Sequence, residues 1–263
     1  MRLLVIGAVA AGTSAAAKAR RNSEDLEIVI YERDRYISYS GCGMPFYVGG
    51  ELTDFEELVP RDPGYFKKKY NIDVLTEHEV LEIDPGSKRI KVKNLASGAV
   101  FWDIYDKLVI ATGASPVIPP VKGADGDNVF VFRGIGDMNR ILDFMHRKDP
   151  KKALIIGAGS IGLEMCENLT RRGLQVSLIE RLGQVSPGLD EDMAVYVQKY
   201  IEEKGIAVYT GAAVTEMTES GVSLDDGTRV DGEMIILATG VRPNTDLAKR
   251  AGIELGVAGA IKV

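Results

Sequence analysis

An apolar run ending in glycine occurs twice in this chain, each time followed by a helical stretch and a second run ending in glutamate. The first copy is Leu3-Leu4-Val5-Ile6-Gly7, then Gly12, a helical run to Arg21, Ile28-Val29-Ile30-Tyr31 and Glu32. The second is Ala153-Leu154-Ile155-Ile156-Gly157, then Gly159, Gly162, a helical run to Arg172, Val176-Ser177-Leu178-Ile179 and Glu180. First glycine and acid lie 25 residues apart in one copy and 23 in the other. Each copy closes on the same phrase, Leu108-Val109-Ile110-Ala111-Thr112-Gly113 and Ile235-Ile236-Leu237-Ala238-Thr239-Gly240. Strand, helix and strand in this order predict parallel sheets. The expected fold class is therefore α/β, with two Rossmann-like dinucleotide-binding domains.

The glycines have separate mechanical reasons. The first permits the tight strand-to-helix turn, the middle one lets backbone approach a pyrophosphate, and the last lets helix and strand pack closely. The pyrophosphate would sit at the helix N-terminus, where unpaired N–H groups and the helix dipole favour negative charge. The terminal Glu32 or Glu180 would accept hydrogen bonds from ribose hydroxyls. The second copy, Gly157-Ala158-Gly159-Ser160-Ile161-Gly162, is complete. The first departs from it, with Val9 in the middle position.

Composition narrows the classes. A length of 263 residues fits two domains at about 150 residues each. A formal charge of −6 argues against a broad basic face for nucleic acid. Two cysteines, Cys42 and Cys166, and two histidines, His78 and His146, are too few for a disulfide scaffold or a zinc site built from them. The run Leu3–Ala17 has the look of a signal segment, but it contains Gly7, Gly12, Thr13 and Ser14 and recurs inside the chain. No stretch reaches the roughly 18 apolar residues of a membrane span. The reading is a cytoplasmic protein without membrane or nucleic-acid partners, its unpaired thiols suited to a reducing compartment.

Between the copies, residues 54–70 read as short helices, and 80–83, 89–92 and 99–102 as short strands. Residues 137–147 and 190–204 read as helices, and Asp225-Asp226-Gly227 as a hairpin turn. The proline-rich segment 115–120 and Arg242-Pro243-Asn244 mark crossings. The expected domains are 1–118, an inserted 119–245, and a return at 246–263.

Cys42 lies in Ser38-Tyr39-Ser40-Gly41-Cys42-Gly43-Met44-Pro45. Two glycines and a proline suit a thiol presented at a turn before a helix, where the helix dipole favours the thiolate. No second cysteine stands five positions away, so this loop cannot form its own disulfide. Cys166, among Glu164, Met165 and Leu169, reads as core packing.

These motifs together resemble the flavin-dependent pyridine nucleotide–disulfide oxidoreductases, in the branch with one active-site cysteine. That branch contains coenzyme A disulfide reductases, NADH oxidases, NADH peroxidases and CoA-persulfide reductases. The resemblance runs over residues 1–263. It implies FAD in the first domain and NAD(P)H in the second, with Cys42 as the catalytic thiol. The cofactor contacts it implies are Gly7, Ala10, Gly12, Glu32, Arg33, Ala111, Thr112 and Gly113, with Val80 against the adenine through its backbone. In the second domain they are Gly157, Gly159, Ile161, Gly162, Glu180 and Gly240. It also implies CoA phosphates near Ser14, Lys18 and Arg21, and the pantetheine arm near Ser38; Lys18 to Arg21 also reads as a basic helix end that suits the dipole.

Oxidase and peroxidase members carry a histidine in the first glycine loop, where this chain has Ala10. The expected reaction is therefore reduction of a CoA disulfide or persulfide. An NADH oxidase or peroxidase cycling Cys42 through sulfenic acid is the alternative. Glu180 favours NADH over NADPH, because a carboxylate repels the 2′-phosphate. The family pattern continues beyond residue 263, with a further flavin-contacting segment and a dimerisation domain. For this chain that implies weak flavin affinity, poor turnover and a monomer, whereas full-length relatives are homodimers; a non-catalytic nucleotide-binding fragment is the third reading.

Overall fold

The computed structural model describes residues 1–263. The chain packs as two compact units, one of residues 1–40, 56–115 and 242–263, the other of 41–55 and 116–241.

The first unit is built on a parallel sheet ordered β3-β2-β1-β7, from β1 (Arg2–Ile6), β2 (Glu27–Tyr31), β3 (Asp73–Leu75) and β7 (Lys107–Ile110). Successive side chains of a strand point to opposite faces, and here both faces are covered. Leu3, Val5, Ile28 and Ile30 form one core with Ala16 of α1 (Ala11–Asn22) and Phe66 of α4 (Pro63–Tyr70). Leu4, Ile6, Val29 and Tyr31 form the other with Val80, Ile83, Ile90 and Val92. Those four belong to an antiparallel sheet of β4 (His78–Asp84), β5 (Arg89–Asn94) and β6 (Val100–Ile104). Burial on both faces is why β1 reads as a continuous apolar run rather than an alternating one. The short helices α3 (Phe55–Leu58) and α8 (Asp246–Arg250) complete the helical set here.

The second unit repeats the plan. Its parallel sheet is ordered β12-β11-β10-β16-β9, from β9 (Val129–Val131), β10 (Lys152–Ile156), β11 (Gln175–Glu180), β12 (Ala207–Thr210) and β16 (Met234–Leu237). Helices α5 (Ile135–Lys148) and α6 (Ser160–Arg171) pack on it, and α7 (Glu191–Glu203) lies against β12. An antiparallel sheet of β13 (Val214–Thr218), β14 (Gly221–Leu224) and β15 (Arg229–Asp231) covers the other face, with Met217, Val222 and Leu224 on Leu154, Ile156 and Ile235. The chain passes between units along β8 (Ala114–Pro116) and β17 (Val241–Pro243).

The sequence reading carried residues 41–55 with the first domain. In the structure they group with the second unit, because the short helix α2 (Met44–Gly49) packs on α5 and α6.

The glycine turns superimpose in function. Gly7 and Gly157 have φ of +102° and +107°, and their N–H groups donate to Tyr31 O and Ile179 O, each at 2.8 Å. A Cβ on Gly12 or Gly162 would collide with the carbonyl oxygen of Gly7 or Gly157. We expect Gly162→Ala to cost about 1–3 kcal/mol, as overpacking does. Gly136→Ala, in open space on α5, should be neutral or stabilising by up to about 1 kcal/mol. Urea unfolding of both variants is the check, and equal midpoints would contradict the packing argument.

Candidate functional site

In each unit a buried carboxylate grips the glycine turn. Glu32 Oε2 accepts the N–H of Ala8 at 2.7 Å and Oε1 that of Asp34 at 2.9 Å. Glu180 repeats this with Ala158 at 2.7 Å and Leu182 at 2.8 Å. Both glutamates are buried. Each carboxylate oxygen keeps a second lone pair, which a ribose hydroxyl can use.

The duplication reaches further than the glycines. Six residues after each glutamate stand Ser38 and Ser186, with φ of 48° and 46°. Their N–H groups donate to Ala8 O at 2.8 Å and Ala158 O at 2.9 Å. Ile37 and Val185, just before them, are buried. The sequence signal was the repeated pattern of glutamate, arginine and a serine six positions on, with identical spacing.

Helices α1 and α6 begin without a side-chain cap and without an acid in the first turn. Their first N–H groups have no intrahelical partner, so each start suits an anion. Gly159 caps α6 with extended backbone and open space where a side chain would be. In the first copy α1 starts one residue later relative to the glycines, after Ala10. Ala10, Gly113 and Gly240 are exposed and Ile161 is half-buried. These cradles fit a dinucleotide pyrophosphate twice over.

The closing phrases place a threonine for a mechanical purpose. Thr112 Oγ1 donates to Asn244 O at 2.5 Å, and Thr239 Oγ1 to Val117 O at 2.6 Å. Each hydroxyl thus fixes a crossing segment of its own unit. Ala111 sits beside Gly7, its carbonyl where a Gly7 side chain would go. Val80 spends its side chain on the core, leaving only its backbone for a ligand. Arg33 lines a cavity of about 360 Å³ with Asp34, Arg35, Glu77, Glu79 and Leu95.

A second cavity of about 270 Å³ gathers Ser14, Arg21 and Ser38, three of the four residues expected at a CoA-like ligand. Lys18, exposed on α1, does not line it. Residues the sequence reading missed do: Arg61, Tyr65, Lys69 and Tyr70, brought by α4 and the turn before it. Asp62 accepts from Tyr65 N at 2.7 Å to start α4, with Pro63 in its first turn. Lys69 Nζ donates to Tyr65 OH at 2.9 Å. That bond holds the exposed Tyr65 hydroxyl below its ordinary pKa and raises that of Lys69. Arg61 lies over the Tyr65 ring at 5.7 Å and donates to Ser38 Oγ at 3.4 Å. Three cations, two serines and two phenol rings make a mouth for a polyanion with an aromatic part.

Cys42 is exposed in a single 3-10 turn, Gly41–Gly43, directly before α2. Cys166 is buried in α6, and burial pushes its thiol up to about 12. No group of His, Cys, Asp and Glu side chains could hold a metal ion. No helix is long and apolar enough to cross a membrane.

The family of pyridine nucleotide-disulphide oxidoreductases matches residues 1–263. The chain belongs to that family. It is 41% identical over 260 residues to an NADH oxidase of Methanocaldococcus jannaschii, covering 97% of this chain and 58% of that protein. It is 33% identical to a coenzyme A disulfide reductase of Staphylococcus haemolyticus, covering 100% of this chain and 59% of that one. An NAD-dependent persulfide reductase from A. fulgidus superimposes with a TM-score of 0.95 at 37% identity, over 99% of this chain and 50% of that chain. The chain thus spans about 58–59% of the length of these two curated relatives.

The contrast between the thiols is open to a direct check. Iodoacetamide should label Cys42 and spare Cys166 in the folded protein, and label both in urea, by peptide mass mapping. Labelling of Cys166 under native conditions would contradict its burial.

Proposed function

We propose that this chain is the dinucleotide-handling part of an FAD-dependent NAD(P)H:disulfide oxidoreductase, with the first unit for FAD and the second, inserted unit for NADH. The observation that carries the reading is the same glycine–glutamate cradle built twice in a chain that exposes one of its two thiols. The substrate class is a CoA disulfide or persulfide, supported by the cationic, aromatic cavity at Ser14, Arg21 and Ser38 and by the names of the relatives.

Gly7, Gly12 and Glu32 would hold the FAD pyrophosphate and ribose, and Gly157, Gly159, Gly162 and Glu180 those of NADH. Bound there, the two dinucleotides supply the electron pair that a thiol alone cannot. The protein's part is exchange chemistry. Cys42 Sγ, as thiolate, attacks one sulfur of the disulfide; a Cys42–S bond forms, the substrate S–S bond breaks, and the departing thiolate takes a proton from water. Two electrons and a proton then return the mixed disulfide to the Cys42 thiolate and a second thiol. Arg21, Arg61 and Lys69, which line the cavity of the first unit, would bind an anionic group there.

Cys42→Ser should abolish CoA-disulfide reduction by NADH with added FAD, and leave NADH-dependent loss of flavin absorbance intact. Loss of both would make Cys42 structural. Relatives named NADH oxidase favour a second reading in which Cys42 cycles through sulfenic acid. Ala10 in the first glycine loop argues against it, and stoichiometric peroxide consumption with NADH would select it.

Glu180 bears on the nucleotide. Its carboxylate, held by two backbone N–H groups, cannot turn away from a 2′-phosphate without releasing the turn. Binding of NADH should exceed that of NADPH by at least about tenfold, or about 1.4 kcal/mol. Fluorescence titration of both nucleotides is the measurement, and equal affinity would refute the assignment of Glu180.

A further inference from the structure

Helix α6 does two jobs at its two ends. Its start carries the complete glycine turn, Gly157–Gly162. Its other half meets the segment that ends the cysteine helix. Arg172, which caps α6, donates from Nε to Val48 O at 2.7 Å. Arg171 pairs with Glu51. Gly50 ends α2 in the left-handed conformation at φ +79°, beside the Arg172 guanidinium. A Cβ on Gly49 would collide with the Asn168 amide.

Asn168 is fully buried in α6. Its Nδ2 donates to Glu164 O at 2.8 Å, and its Oδ1 has no hydrogen-bond partner. A buried unpaired amide oxygen is destabilising, and a smaller apolar residue would avoid that cost. What the amide does supply is a flat wall against which only glycine fits at position 49.

We propose that Asn168 and Arg172 are positioning residues that fix α2, and with it Cys42, to the same helix whose first turn holds the nicotinamide dinucleotide. The thiol and the nucleotide cradle then share one rigid element, and the gap between them is set by the length of α6 rather than by a loop. The inference rests on Cys42 being the reacting thiol. It concerns placement, so its readout needs neither flavin nor turnover and fails separately from the disulfide-reduction test of Cys42→Ser.

The experiment measures the rate of Cys42 alkylation by iodoacetamide as a function of pH, with NADH affinity and the thermal midpoint of each variant alongside. Contacting residues are energetically coupled, so Gly49→Ala should change the alkylation rate by at least about twofold. Adding Asn168→Ala, which removes the wall, should restore the wild-type rate and pH profile. Arg172→Met should change the rate as well, and Arg172→Lys, which keeps a donor, should recover most of it. NADH affinity should stay unchanged throughout. Unchanged alkylation in Gly49→Ala and Arg172→Met would overturn the proposal. So would a change that the compensating variants fail to reverse, or one that tracks a parallel loss of NADH affinity. Should Gly49→Ala not fold, the Arg172 pair decides by the same criteria.

Discussion

A buried carboxylate holds the glycine turn to the strand end beside it in each unit, and the rest of the architecture is arranged around that contact. Glu32 and Glu180 each accept two backbone N–H groups at 2.7–2.9 Å. One bond fixes the residue after the first glycine, and the other fixes the chain as it leaves the second strand. Hydrogen bonds to a charged acceptor contribute about 1.5–3 kcal/mol each, enough to hold a turn whose packed side chains, Ala8 and Ala158, are small. The turn in turn sets where the helix begins. Helix start, strand end and carboxylate are therefore one rigid assembly before any nucleotide arrives, which reduces the ordering cost of binding.

Much of this was legible in the sequence, for an identifiable reason. Parallel strands buried on both faces demand unbroken apolar runs, and a turn at the φ of Gly7 and Gly157, +102° and +107°, demands glycine. Both leave marks in the residue order itself. The run Leu3–Ile6, Gly7 and the distance to Glu32 therefore located the first sheet and its cradle. The strands read at 80–83, 89–92 and 99–102 correspond to β4, β5 and β6, whereas the second antiparallel sheet was marked only by its turn at Asp225-Asp226-Gly227. The cavity at Ser38 was half legible. Ser14 and Arg21 came from the resemblance, while Arg61, Tyr65 and Lys69 fell in residues 54–70, read only as short helices. The packing of α4 on β3 and the bond from Arg20 Nε to Tyr70 O at 2.8 Å bring them to α1, and no spacing rule encodes that approach. Residues 41–55 were the plainest departure. Chain order suggested the first domain, and the decisive fact was a close backbone contact, Gly49 on Asn168, which local sequence does not announce.

The two copies show how one scaffold is turned to two ends. Arg21 and Arg171 stand at the same step, nine residues after the last glycine of each turn. On α1 that step opens into the cavity with Ser14 and Ala17, where α4 supplies the facing wall. On α6 it is closed: Arg171 bridges Glu167 and Glu51, and Arg172 reaches Val48. The flank of the post-glycine helix thus lines an open cavity in one unit and meets the thiol-bearing segment in the other. Duplication supplied the nucleotide cradle twice. The two units differ in what covers the helix flank: α4 across a cavity in one, the segment after α2 in the other.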